Sequence, residues 1–197
     1  MSHIRAARPD DRDALYEICL RTADAGEDAT SQYDDPEVVG HIFVGPYAVF
    51  EPSLAFVVED DEGVAGYAVG ARDSRAFEAL LEREWWPALR ERYPSPGPAD
   101  RADHAMIQGF HQPHVADSAL LAEFPSHLHI NLLPRLQGQG MGGKIMHTLF
   151  DALREQGSPG VHLQVWRQNE RAIGFYRHIG FVELGSEPDG FTYGYRL

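Results

Sequence analysis

Hydrophobic and polar positions along the chain follow two periods. The segments 54–58 and 64–69 are almost wholly apolar, with Asp60-Asp61-Glu62-Gly63 between them, which predicts a β-hairpin. A short strand is expected over 4–8. Behind Pro9-Asp10-Asp11, Leu15, Ile18 and Cys19 recur at helical spacing and predict a helix over about 11–22. The stretch 24–35 is polar and acidic and reads as a loop. Asp35-Pro36-Glu37 then has the cap, the early proline and the acidic first turn of a short second helix. Asp73 is placed to cap a helix that carries Phe77, Leu80, Leu81 and Trp85 on one face, and Pro87 should kink or end it. A proline-rich loop over 93–98 follows, and 104–124 shows no clear period apart from a helix near 118–123. We read 73–124 as an elaboration between two strands of a single domain spanning 1–197.

The second half alternates more regularly. A strand over 127–133 ends at Pro134 and leads into a glycine-rich loop. Ile145, Leu149 and Leu153 mark the helix after it, which Gly157 terminates. A strand over 161–166, a short helix over 169–178 and strands over 180–184 and 191–196 complete the chain. Strands interleaved with helices in this order predict the α/β class.

Composition narrows the function. The chain has 197 residues, enough for one well-buried core, and 17 basic against 30 acidic residues give a net charge of −13. That charge argues against nucleic acid as the partner, because phosphate contacts dominate such binding. A single cysteine, Cys19, excludes an intrachain disulfide and multi-cysteine zinc sites. No apolar run approaches membrane-spanning length, and the N-terminus lacks the apolar stretch of a secretory signal, so a cytoplasmic protein without membrane association is expected. His127-x-His129 and His111-x-x-His114 lack acidic or cysteine ligands at known metal spacings, and no metal is expected.

Two segments carry chemistry. Gly138-Gln139-Gly140-Met141-Gly142-Gly143 lies between a strand and a helix, where backbone N–H groups and the helix N-terminus cradle phosphate. A triphosphate-binding loop is excluded, because Lys144 is followed by Ile145. The spacing also satisfies a dinucleotide fingerprint, which would make the chain a nicotinamide-binding oxidoreductase, but the downstream acidic residue is not clear. In the second segment, Asn169 and Tyr176 stand seven residues apart, about two helical turns, and share a helix face. A phenol so placed can act as a general acid toward a departing thiolate.

Together these segments resemble the motifs of the GCN5-related N-acetyltransferase (GNAT) superfamily. The acetyl-coenzyme A loop, Gln/Arg-x-x-Gly-x-Gly/Ala, is matched by Gln137-Gly138-Gln139-Gly140-Met141-Gly142. Arg135-Leu136-Gln137-Gly138-Gln139-Gly140 also fits, but Pro134 and Met141 favour the first register. Asn169, Ala172, Tyr176, Gly180 and Phe181 match the later motif. The likeness covers about 124–185 and extends to the hairpin at 54–70. Phe124-Pro125-Ser126-His127-Leu128, Val58-Glu59-Asp60-Asp61-Glu62-Gly63, Gly66-Tyr67-Ala68 and Trp85 further resemble the acetyltransferase-like C-terminal region of eukaryotic O-GlcNAcase and its free-standing bacterial relatives. The glycine loop, degraded in the eukaryotic proteins, is intact here.

The resemblance implies a GNAT-like acyl-CoA N-acyltransferase fold, a mixed sheet of about six to seven strands with helices on both faces. It implies acetyl-CoA as cosubstrate and direct transfer of its acetyl group to an amine-bearing acceptor, small molecule or peptide. Backbone groups near Leu132 and Leu133 would pair with the pantetheine arm, and amides from Gln137 through Gly143 would hold the pyrophosphate. Asn169 would contact the cofactor, and Tyr176 would both contact it and protonate the thiolate. Cys19, in a helix core, is a poor nucleophile.

Relatives often carry a catalytic base on the strand before the loop. Counting back from Gln137 reaches Ser126, which is neither acid nor histidine. His127 and His129 flank it but lie on the opposite face if the strand alternates regularly; a bulge would reverse that parity. They are the candidates for the base. The missing base at Ser126 is also what favours the alternative, a catalytically silent module that binds coenzyme A. The acidic run Asp24, Glu27, Asp28, Asp34 and Asp35 could greet a cationic acceptor. A homodimer is compatible with the sequence, which leaves acceptor, acyl chain length and oligomeric state open.

Overall fold

The computed structural model describes residues 1–95 and 101–197; part of the loop expected at 93–98 lies outside the described residues. Seven strands form one mixed sheet: β1 His3–Ala6, β2 Ala55–Asp60, β3 Gly63–Ala71, β4 Ser126–Leu132, β5 Gly160–Trp166, β6 Val182–Ser186 and β7 Gly190–Arg196. Their order is β1-β2-β3-β4-β5-β7-β6. All neighbours are antiparallel except β4 and β5.

The helices are α1 Arg12–Leu20, α2 Gly40–Phe43, α3 Gly45–Phe50, α4 Ser74–Glu84, α5 Trp86–Arg92, α6 Ala102–His111, α7 Ser118–Glu123, α8 Met141–Glu155 and α9 Glu170–His178. They cover both faces of the sheet. Ile145, Met146, Leu149, Phe150 and Leu153 of α8 are wholly buried, each contributing about 1.5–3 kcal/mol. Against them β3 presents glycine: a Cβ on Gly70 would lie 3.4 Å from Leu149 Cδ1. On the other face α1 packs on β3, and the long elements α4 to α7 fall between β3 and β4 in the chain.

The hairpin is β2–β3, with one register shift between Val58 and Glu59. Asp73 caps α4, its Oδ1 accepting from Ala76 N at 2.9 Å, and the break falls at Trp85, ahead of Pro87. The second helix begins later than the Asp35-Pro36-Glu37 pattern suggests. Asp35 Oδ1 accepts from Glu37 N at 2.8 Å, but residues 36–39 form turns and α2 starts at Gly40. Helix α6 lies in the stretch whose period was unclear. Among the described residues no helix is long and apolar enough to cross a membrane.

Candidate active site

The parallel pair β4 and β5 is joined only at Ser126–Val161 and His127–His162. Strand β5 stays in register with β7 over its whole length and departs from β4 beyond those positions. Into the gap opens a cavity of about 850 Å³, lined by Leu128 through Leu132 on β4 and by Gln164, Val165 and Trp166 on β5. Leu133 N donates to Ala65 O at 2.9 Å, so residue 133 pairs toward β3. By alternation, the backbone groups of Ile130 and Leu132 point into the gap. Leu132 O accepts from Gln137 Nε2 at 3.1 Å. Leu133 itself is buried and does not line the cavity, so of the two residues expected near a pantetheine arm Leu132 is the one at the wall.

The glycine loop follows the end of β4. Gly138 and Gly140 both have φ +73°, a conformation that costs other residues roughly 1–2 kcal/mol. At Gly142 the constraint is contact: a Cβ there would sit 3.2 Å from Phe175 and 3.3 Å from Leu132. The first-turn amides of α8, at residues 141–143, have no intrahelical acceptor and lie at the positive end of the helix dipole. Gln137, Gly138, Gly140, Gly142 and Gly143 line the cavity. The side chains of Gln139 and Met141 do not: Gln139 Nε2 donates to Arg135 O at 2.5 Å, and Met141 is buried in the core. Only their backbone could serve a ligand.

Two further residues frame this end. Asn169 caps α9, its Oδ1 accepting from Ala172 N at 3.0 Å, and its amide NH2 has no hydrogen bond among the described residues at the cavity wall. Arg171 donates from Nη1 to Gln137 Oε1 at 2.6 Å and from Nη2 to Gly26 O at 3.1 Å. The guanidinium therefore ties the loop after α1 to the glycine loop and sets a cation beside the amides. Tyr176 lines the cavity from α9. Burial raises its pKa, so the hydroxyl keeps its proton and can donate it.

His127 and His129 belong to a hydrogen-bonded network beside the cavity. Ser74 Oγ lies 2.7 Å from Pro125 O and 2.7 Å from His127 Nδ1. The Tyr47 hydroxyl lies 2.8 Å from His127 Nε2 and 3.1 Å from His129 Nε2. Burial lowers both histidine pKa values, that of His129 to about 4, so both rings are neutral at pH 7. Burial also raises the pKa of Tyr47, which keeps its single proton.

Proton positions follow from counting. A carbonyl only accepts, so the Ser74 hydroxyl donates to Pro125 O and its oxygen accepts from His127 Nδ1–H. His127 Nε2, then unprotonated, accepts from Tyr47. The Tyr47 oxygen in turn accepts from His129 Nε2–H. His129 Nδ1 is left with its lone pair and with no hydrogen bond among the described residues. His129 lines the cavity; His127 does not, and stands behind Tyr47.

Strand β4 pairs with β3 without a register shift. The histidines therefore do lie on the face opposite Ser126, and no bulge reverses the parity. Ser126 is wholly buried, its hydroxyl taken up by Arg72 O and Ser158 Oγ. His129 reaches the cavity from its own face because the split between β4 and β5 opens to both. Cys19 also reaches the wall, but burial pushes its thiol up to about 12, so it stays protonated. Tyr47, Ser74 and Arg171 were missed from sequence. The first two come from helices remote in the chain, and only Arg171 sat inside a recognised motif.

A family model described as the acetyltransferase (GNAT) family matches residues 12–181. Protein O-GlcNAcase from Rattus norvegicus is 27% identical over 191 residues, 95% of this chain and 21% of that protein. The chain thus spans about a fifth of the length of the curated relatives it matches. Among solved structures, the crystal structure of SsHAT is 38% identical with a TM-score of 0.92, over 99% of this chain and 98% of that one. The ribosomal-protein-S18-alanine N-acetyltransferase from Escherichia coli has a TM-score of 0.55 at 18% identity, over 100% of this chain and 94% of that one.

Proposed function

Because the chain belongs to the acetyltransferase (GNAT) family, we propose that it transfers the acetyl group of acetyl-CoA directly to an amine, with His129 as general base and Tyr176 as general acid. The observation that carries this reading is the split between β4 and β5, which gathers the glycine loop, an unpaired strand edge, His129 and Tyr176 around one cavity.

The residues present suit the cosubstrate. A pantetheine arm carries amides that can pair with the Ile130 and Leu132 backbone as an added strand. The amides at 138–143 and the Arg171 guanidinium fit a pyrophosphate. Asn169 offers an amide NH2 nearby. Acetyl-CoA, once bound, supplies an activated acyl group on sulfur.

The chain's own groups then handle two protons. His129 Nδ1 accepts the proton that the amine nitrogen sheds as its bond to the acyl carbon forms. Tyr176 donates the proton that the sulfur takes as the carbon–sulfur bond breaks. His127 touches neither reacting atom in this reading; it positions His129 through Tyr47. With His129 as base, the vacancy at Ser126 no longer favours a silent coenzyme A-binding module.

Calorimetric titration with acetyl-CoA, coupled to an assay of thiol release with an amine panel, tests the proposal. Micromolar binding with amine-dependent thiol release is expected. His129→Asn should keep the binding and lower turnover about 10²-fold or more. Binding without turnover for every amine would leave the silent module as the better reading.

A further inference from the structure

The cavity wall around His129 carries a second message, about the acceptor. Tyr33, Val39, Phe43 and Met106 line the same cavity as His129, and the Phe43 ring centroid lies 5.3 Å from that of His129. Among the described residues, no carboxylate lines the cavity. The acids of the neighbouring segments are engaged elsewhere. Asp24 binds Gln32, Asp28 binds Thr30, and Asp34 pairs with Arg101. Asp35 accepts from the Tyr93 hydroxyl, and Asp103 accepts from the backbone N–H groups of Asp34 and Asp35. Glu27 lies 3.8 Å from Arg171, outside the wall. The polar side chains near the turn after α1 satisfy each other: Asn131 Nδ2 donates to Thr22 Oγ1, and Thr22 donates to Ile18 O.

We propose that the acceptor is a small monoamine on an apolar, aromatic-sized body, such as an arylalkylamine, rather than a polyamine, an aminoglycoside or a lysine-rich peptide. This rests on the acetyl-transfer reading above. The reacting nitrogen must arrive neutral, and it sheds its remaining proton to His129 as the bond to the acyl carbon forms. Any second ammonium group would remain charged in a cavity that no carboxylate of the described residues lines, and burying an unpaired charge is strongly unfavourable. An apolar body instead meets aromatic rings and a methionine thioether, which favour flat or aliphatic surfaces. The neutral Cys19 thiol adds another uncharged stretch of wall. The net −13 charge gathers cations at the surface but offers none of them a partner inside.

The test compares kcat/KM for 2-phenylethylamine, spermidine and a lysine-containing peptide, with acetyl-CoA binding followed separately by calorimetry. Acetylation of 2-phenylethylamine at least tenfold more efficient than of the other two is expected. Spermidine or the peptide as the better acceptor overturns the proposal, as does acetyl-CoA binding with no transfer to 2-phenylethylamine. Failure to bind acetyl-CoA instead removes the reading beneath it. Met106→Glu adds the missing anion and should raise the spermidine/2-phenylethylamine ratio about tenfold. An unchanged ratio would mean that the acceptor does not occupy this wall.

Discussion

Replacing Tyr47 by Phe removes one oxygen and leaves the ring, which packs 4.7 Å from Phe77 between centroids. Among the described residues that oxygen is the one hydrogen-bonding link between the two histidines, and it has one proton for two ring nitrogens. The network therefore demands opposite tautomers: His127 protonated on Nδ1, His129 on Nε2. In Tyr47→Phe, His127 Nε2 loses its donor and His129 Nε2–H its acceptor. An unsatisfied buried group costs about 1–3 kcal/mol, and His129 can recover part of this from cavity water. A loss of about 2 kcal/mol is expected, lowering Tm by roughly 4–8 °C for a chain of this size. The tautomer of His129 then loses a bond worth about 1 kcal/mol, so kcat should fall about fivefold while acetyl-CoA affinity is unchanged. Long-range proton–nitrogen spectra of the imidazole rings report the tautomers directly. Wild-type His127 and His129 carrying their protons on the same ring nitrogen would refute the proton count.

Tyr176→Phe should bind acetyl-CoA normally and lower kcat about 10²-fold; an unaltered rate removes Tyr176 as the acid. Gly140→Val should weaken acetyl-CoA binding tenfold or more by calorimetry. A Cβ there meets nothing within 4 Å, so the cause would be the φ of +73° rather than a clash, and full affinity would contradict the loop geometry. Stability should fall in mild acid. Burial holds His129 at about 4 against a usual 6.5, so the unfolded chain binds the proton first; the contribution is complete above about pH 6.5 and drains away toward pH 4. Between pH 7 and 5 this residue alone costs about 2 kcal/mol, with His127 and His162 shifted the same way. His129→Asn should flatten the pH dependence of urea midpoints, and an identical slope would place the sensitivity elsewhere.

The parts of the molecule that write themselves locally were legible in the sequence. Apolar period located the hairpin, α1, α8 and β5, and glycine spacing located the loop, because these features depend on residues a few positions apart. Asn169 and Tyr176 were visible for the same reason, the first as the cap of a short helix and the second seven residues on within it. The edges of the reading fell where local cues compete. Residues 36–39 carry a good cap yet only turn, and α6 has too mixed a surface to show a period. The proposed base was harder. Parity along β4 correctly put His127 and His129 opposite Ser126, but whether that face met a cavity depended on where β5 parts from β4, and nothing in β4 encodes that. Tyr47 and Ser74 lie 80 and 53 residues from His127 in the chain, and only packing brings them to it.

The same split explains why one histidine is exposed to chemistry and its neighbour is not. Were β4 and β5 paired along their full length, the Ile130 and Leu132 backbone would be spent in the sheet and no cleft would open beside His129. The pairing at His127–His162 is the last before the gap, so His127 sits where the sheet is still closed and His129 where it is open. The closed position suits a residue that holds others in place. Its ring is fixed at both nitrogens, by Ser74 and by Tyr47, whereas His129 is fixed at one and keeps the other for the cavity. Two histidines of identical chemistry thus differ in proposed role because of a two-residue step along a parting strand pair, with Tyr47 as the hydrogen-bonded connection among the described residues through which His127 can set the tautomer of His129.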